Sequence, residues 1–179
     1  MDLNTLPDTD LVVQRYTPGH PEISQLMPDN TPTIRILTVK PKGGMAKARS
    51  SLIKIGQSGD RVMTAARSAW TIIGADGRLA KTGYDHEWRP IQTAPDTGVV
   101  FSDVVIPAFE RATRLCERLH DGCPASPIVG WDLTISDDGA PVIFEWNIGN
   151  VGMNYHEADE GPLFADLDWT AKGIAEGSA

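Results

Sequence analysis

The stretch Val129 to Asn150, VGWDLTISDDGAPVIFEWNIGN, decides the fold. Val129, Trp131, Leu133 and Ile135 alternate with Gly130, Asp132 and Thr134, and after Asp138-Gly139 the alternation resumes as Val142, Phe144, Trp146 and Ile148. A period of two, interrupted by a turn pair, predicts a two-stranded hairpin that is apolar on one face. With Asp137 to Ala140 as the loop, Ser136 faces Pro141 and Asp132 faces Glu145, and Asn147 follows Glu145 on the same side. Two carboxylates and an amide then share the face turned away from the core.

Carboxylates held at cross-strand distance repel one another. Two arrangements relieve the repulsion. The polar face simply meets water, as the outer faces of antiparallel pairs often do, or a divalent cation neutralises it. Magnesium takes oxygen ligands and is commonly held by one or two carboxylates together with substrate phosphates, so Asp132, Glu145 and Asn147 suit it where His and Cys would suggest zinc.

Working outward, Thr33 to Lys40, TIRILTVK, alternates Ile34, Ile36 and Thr38 against Arg35, Leu37 and Val39. Arg35 therefore sits on an otherwise apolar strand face, where an unpaired charge is costly. A structural salt bridge satisfies it, and so does a place in a cleft that binds anions. Ser50 to Ile55 continues as a strand carrying Lys54, and Ala69 to Gly74 with Arg78 to Tyr84 reads as a second hairpin across Ala75-Asp76-Gly77. Leu11 to Tyr16 reads as a short strand, and His20 to Met27 as one or two helical turns.

Trp88 to Phe101 is aperiodic and predicts a loop. Val105, Ala108, Ala112, Leu115 and Leu119 then recur at three- and four-residue steps, giving an amphipathic helix from Val105 to His120 with Pro107 in its first turn and Asp121-Gly122 at its end. Its stripe belongs on the back of the sheet, which leaves the Asp132/Glu145 face free. Beyond Asn150 the glycines and polar residues of VGMNYHEADEGPLF predict a loop, either a simple exit or a cover for the metal site. Ala165 to Ala171 adds a helical turn at most.

The chain carries a net charge of −8, which argues against nonspecific nucleic-acid binding. It has no membrane-length apolar run and no secretory leader pattern at MDLNTLPDTD, so a cytoplasmic location is expected. Cys116 and Cys123 fit neither a zinc knuckle nor a redox pair and read as free thiols. The histidines at 20, 86, 120 and 156 make no metal-ligand spacing and receive no role. Gly77 to Gly83, GRLAKTG, lacks the spacing of a phosphate loop and precedes a strand.

The run GWDLTISDDGAPVIFEWN, preceded at a distance by TIRILT, resembles the C-terminal part of the ATP-grasp superfamily. The similarity is to the branch related to alpha-L-glutamate ligases and associated with sugar transfer, and it extends from about Leu11 to Phe164. It implies an α+β fold, an ATP-grasp C-terminal subdomain with a mainly antiparallel sheet and helices packed on one face. The domain covers 1–165 and a tail covers 166–179. It also implies ATP and Mg2+ as cofactors, with Asp132, Glu145 and Asn147 as metal ligands and Arg35 at the transferred phosphate and acyl group. Lys54 becomes a phosphate contact. Gln14 falls on the strand leading to the adenine hinge, although Arg15 stands where the family usually has an acidic residue.

The implied reaction activates a carboxylate as an acylphosphate for attack by an amine or similar nucleophile, so the expected partners are small-molecule carboxylates and amines, not nucleic acid or membrane. ATP-grasp enzymes clamp ATP between two subdomains, and the N-terminal one has no counterpart in these residues. A separate N-terminal half is therefore an expected partner, and the alternative is a truncated, noncatalytic domain that binds nucleotide or another protein.

Overall fold

The computed structural model describes residues 14–57, 59, 67–123, 126–149 and 151–167. In chain order the elements are α1 (Pro21–Ser24), β1 (Thr33–Val39), β2 (Lys47–Ile55), β3 (Ala69–Ile73), β4 (Leu79–Tyr84), β5 (Pro90–Ile91), a 3-10 turn (Phe101–Asp103), α2 (Phe109–Asp121), β6 (Ile128–Ile135), β7 (Pro141–Asn147) and α3 (Met153–Glu160). The strands form one sheet in the order β5-β4-β3-β2-β1-β6-β7, and every neighbouring pair is antiparallel. This is the α+β, mainly antiparallel architecture expected from the sequence.

Strands β1 to β5 follow one another as a meander, and α2 then recrosses one face so that β6 can pair with the free side of β1. The covered face holds the main core. Ile34, Ile36, Ile53, Ile55, Ile73, Leu79, Trp131, Leu133 and Ile135 pack there with Phe101, Ile106 and the helix residues Phe109, Ala112 and Cys116. Burial pushes the Cys116 thiol up to about 12, so it behaves as a small apolar side chain. His120 also faces inward, and both of its ring nitrogens are engaged. Nδ1 lies 2.7 Å from Thr38 Oγ1 and Nε2 lies 2.9 Å from the Ser126 carbonyl, while Trp131 Nε1 donates to the same threonine.

The helix begins later than its periodicity suggests. Leu79 N donates to Val104 O and Ile106 N donates to Gly77 O, so the backbone before α2 is spent on pairing with the β3–β4 turn. Ala108 then turns in the left-handed region at φ 51. The buried stripe is Phe109, Ala112, Cys116 and His120, and it leaves Val105 and Leu119 exposed.

The β6–β7 hairpin differs from its sequence reading in one respect. Ile135, not Ser136, faces Pro141, and the loop holds one residue more than expected. A bulge opposite Asp132/Leu133 absorbs the difference, so Asp132 still faces Glu145. Between bulge and loop the faces of β7 are exchanged, and Ile143, opposite Leu133, is the residue that packs on the core in place of Val142 and Phe144.

The other sheet face carries Arg35, Leu37, Leu52, Lys54, Trp70, Ile72 and Asp132, because these positions pair directly across the strands. The segment expected to be a loop supplies α3, which lies over β2 and β3 on this face. Tyr155 packs with Trp70 and Trp88, and Leu163 and Val151 pack on Leu37. Residues 14–16 are not a strand, and residues 11–13 lie outside the described residues. Among the described residues no helix is long and apolar enough to cross a membrane.

Gly83 on β4 marks the tightest passage in the sheet. A Cβ there would stand 2.5 Å from the Trp70 carbonyl oxygen and 2.8 Å from both Phe101 Cε2 and Thr71 Cβ. Two of these obstacles are backbone or branched side chain and cannot swing aside. Gly83→Ala is expected to lower the unfolding free energy by roughly 1–3 kcal/mol, measured by urea titration; an unchanged midpoint would show that β4 and β3 are not packed this closely.

Candidate active site

The central strand pair β1–β6 brings Arg35 opposite Asp132, and β7 brings Glu145 opposite Asp132 on its other side. Arg35 and Asp132 are each 7 % exposed. The guanidinium meets the carboxylate through two parallel bonds, Nε to Oδ1 at 2.6 Å and Nη2 to Oδ2. Such a fork matches a carboxylate better than a point charge does. Lys54 Nζ lies 3.7 Å from Asp132 Oδ2, so two cations converge on one buried anion. Burial lowers the Lys54 pKa and Arg35 adds to the lowering, against the raising influence of Asp132 and Glu145. An additional anion near Lys54 would relieve that cost.

Glu145 is exposed and accepts a hydrogen bond from Asn147 Nδ2 at 3.2 Å. The amide thus commits its nitrogen to the carboxylate and keeps Oδ1 as an oxygen donor. Gln14 reaches the same edge, where Nε2 donates to the Phe144 carbonyl at 2.9 Å. A cleft of about 440 Å3 runs between the segment Gln14 to Thr17 and the strands, and Asp132, Phe144 and Glu145 form its floor beside Thr31 and Thr33. Gln14, Arg35, Lys54, Asp132, Glu145 and Asn147, spread over most of the sequence, therefore gather along one face and one edge of the sheet.

A family model described as sugar-transfer associated ATP-grasp matches residues 3–168. The chain belongs to the ATP-grasp superfamily, in its sugar-transfer-associated family. No curated protein and no solved structure matched the chain. Among the described residues of this ATP-grasp chain, no three His, Cys, Asp or Glu side chains form a ready-made ion site. The oxygen donors of Asp132, Glu145 and Asn147 suit a hard cation that arrives with phosphate and completes its shell from phosphate and water.

Sequence reading missed the residues that α3 adds. Gly152 precedes the helix at φ 76, which favours glycine, and a Cβ there would stand 3.0 Å from Arg35 Nη1, so a side chain would also crowd the guanidinium. Val151 O accepts from the same nitrogen at 3.5 Å. His156 is fully buried, with Nδ1 2.5 Å from Ser50 Oγ, and Ser50 in turn donates to Glu160 Oε2. His156 and Glu160 are four residues apart and would have shared a face had the segment been read as a helix. Its two glycines, Gly152 and Gly161, suggested a loop instead and in fact bound the helix.

The Arg35–Asp132 pair can be tested apart from any ligand. Asp132→Asn removes the one anion on which two cations converge, and the expected loss is about 3–5 kcal/mol of unfolding free energy. Glu145→Gln, at an exposed position, should stay within about 0.5 kcal/mol of the parent. Urea titration of both variants checks this, and equal stability of the Asp132→Asn variant would refute a paired role.

His156 supplies a pH signature. Burial first, then the Arg35 and Lys54 charges, lower its pKa from 6.5 to about 4. The unfolded chain therefore binds a proton that the folded chain refuses between those values. Stability from this group is present above pH 6.5 and is lost as pH falls towards 4, by about 3 kcal/mol. The fall between pH 7 and pH 4 in thermal or urea unfolding should be correspondingly smaller in His156→Gln; an identical fall would remove His156 as its source.

Proposed function

We propose that this face binds magnesium-ATP and supports ligation of a carboxylate to an amine. The reading rests on one observation: Gln14, Asp132 and Glu145 line a single cleft while Arg35 and Lys54 converge on Asp132 at its floor. When bound, magnesium-ATP would supply the phosphoryl group that activates the carboxylate as an acylphosphate.

The chain's own residues would contribute positioning and charge neutralisation. Glu145, Asn147 and Asp132 offer oxygen donors to the metal. Asp132 is the partner of Arg35 in this structure; with the nucleotide bound, the Arg35 fork would be able to pair with phosphate or acyl oxygens and Asp132 with the cation. Both charges stay paired throughout, which avoids the cost of a buried lone ion. Lys54, whose charge burial disfavours, would gain from the added anion. Gln14 sits at the cleft edge, where the adenine would lie. The proposal includes small-molecule carboxylate and amine substrates, a cytoplasmic setting and cooperation with an N-terminal ATP-grasp half.

Calorimetric titration of magnesium-ATP into the full chain and into Glu145→Gln tests the assignment. The variant is expected to bind about tenfold more weakly with unchanged folding stability. Equal affinity would dismiss Glu145 as a metal ligand. Binding without ADP release in the presence of carboxylates and amines would leave a noncatalytic nucleotide-binding domain as the function.

A further inference from the structure

Two fully buried histidines are treated differently by this fold. His120 engages both ring nitrogens within the core. His156 engages only Nδ1, and Nε2 has no hydrogen-bond partner among the described residues. Among the described residues the other buried side-chain polar atom without a partner is Thr134 Oγ1, two residues from Asp132 on the same strand face. A buried polar atom without a partner costs about 1–3 kcal/mol, and native structures hold few of them, with functional sites among the recognised reasons.

The proton on His156 can be assigned from its neighbours. Ser50 has one hydroxyl hydrogen and donates it to Glu160, whose carboxylate only accepts. Ser50 Oγ must then accept from His156 Nδ1–H, which leaves the lone pair on Nε2. Burial and the charges of Arg35 and Lys54 keep the ring neutral. The chain Glu160, Ser50, His156 thus ends in an acceptor aimed away from Ser50, under a helix whose first turn adjoins Arg35.

We propose that His156 Nε2 accepts a hydrogen bond from an uncharged N–H or O–H group of the nucleophilic co-substrate, beneath α3 on the sheet face that also carries Arg35 and Lys54. The proposal rests on the ligase reading above. The two cations repel an ammonium and tolerate the free amine, which is also the form that attacks. Because His156 is sealed, entry requires α3 to move. That helix hangs between Gly152 and Gly161, both at φ 76, and is held by the Ser50–Glu160 bond, the bond from Arg49 Nε to Leu163 O and the stack of Tyr155 on Trp88.

The experiment uses the full chain with 15N-labelled histidine, titrated with hydroxylamine, an amine uncharged at neutral pH, with and without a magnesium complex of a non-hydrolysable ATP analogue. Methylammonium is the charged control. In the free chain His156 is expected to show the Nδ1–H tautomer with an unbonded Nε2, and hydroxylamine alone should shift Nε2 in the hydrogen-bonded direction while Nδ1 stays in place. His156→Asn keeps a donor for Ser50 and lacks the Nε2 acceptor, so hydroxylamine affinity, followed at the Gly152 and Tyr155 amides, should fall about threefold to tenfold. His156→Gln places an acceptor near Nε2 and should bind nearly as the parent does. An Nε2 already hydrogen-bonded and unmoved by hydroxylamine, or undiminished affinity in His156→Asn, would overturn the proposal. Failure of the nucleotide analogue to bind would instead count against the ATP reading, since the state of Nε2 is read before nucleotide is added.

Discussion

The paired charges of Arg35 and Asp132 govern the half of the molecule that faces the cleft. They stand directly opposite each other on the two central strands, nearly sealed from solvent, and neither is affordable without the other. Their pairing fixes what surrounds them. Gly152 leaves room for the guanidinium, Val151 presents its carbonyl to it, and Lys54 approaches the charge of Asp132. A core of this kind is stabilised less by area than by the avoidance of unpaired ions.

The two sheet faces divide the work. On one, α2 seals aliphatic side chains with Cys116 and a fully bonded His120, an arrangement that serves packing alone. On the other, apolar residues are confined to two smaller clusters, around Leu37 and around Leu52 and Trp70, with the charged residues between them and the cleft. The aromatic group of Trp70, Tyr84, Trp88 and Tyr155 anchors α3 to this face. Trp88 adopts φ 63, an uncommon conformation for a bulky residue, while 44 % of its surface stays exposed.

The charges at the site nearly cancel: Arg35 and Lys54 face Asp132 and Glu145. A balanced site exerts little long-range pull on a polyanion, in keeping with an acidic chain. It can, however, exchange partners locally, and exchange between ion pairs is less costly than exposing or stranding one. This gives a physical basis for the proposed exchange, in which Asp132 would serve folding in one state and a cation in another.

Much of this was determined by the sequence alone. Alternation of apolar residues specified β1 and the β6–β7 hairpin, the turn residues Ala75-Asp76-Gly77 specified the β3–β4 hairpin, and the expected pairing of Asp132 with Glu145 holds because the bulge offsets the longer loop. A charge on an otherwise apolar strand marked Arg35 as paired. Tertiary structure decided the rest. The bulge that exchanges the faces of β7 is matched by one additional loop residue, which a two-residue period cannot register. The start of α2 was set by hydrogen bonds that join Val104 O to Leu79 N–H and Ile106 N–H to Gly77 O, far back in the chain, and periodicity carries no information about such distant partners. Above all, α3 is a helix because Tyr155, His156 and Glu160 find Trp70, Trp88 and Ser50 on a distant sheet face; its own sequence has little helical patterning, and a histidine with no local partner acquires its environment only when the sheet is assembled beneath it.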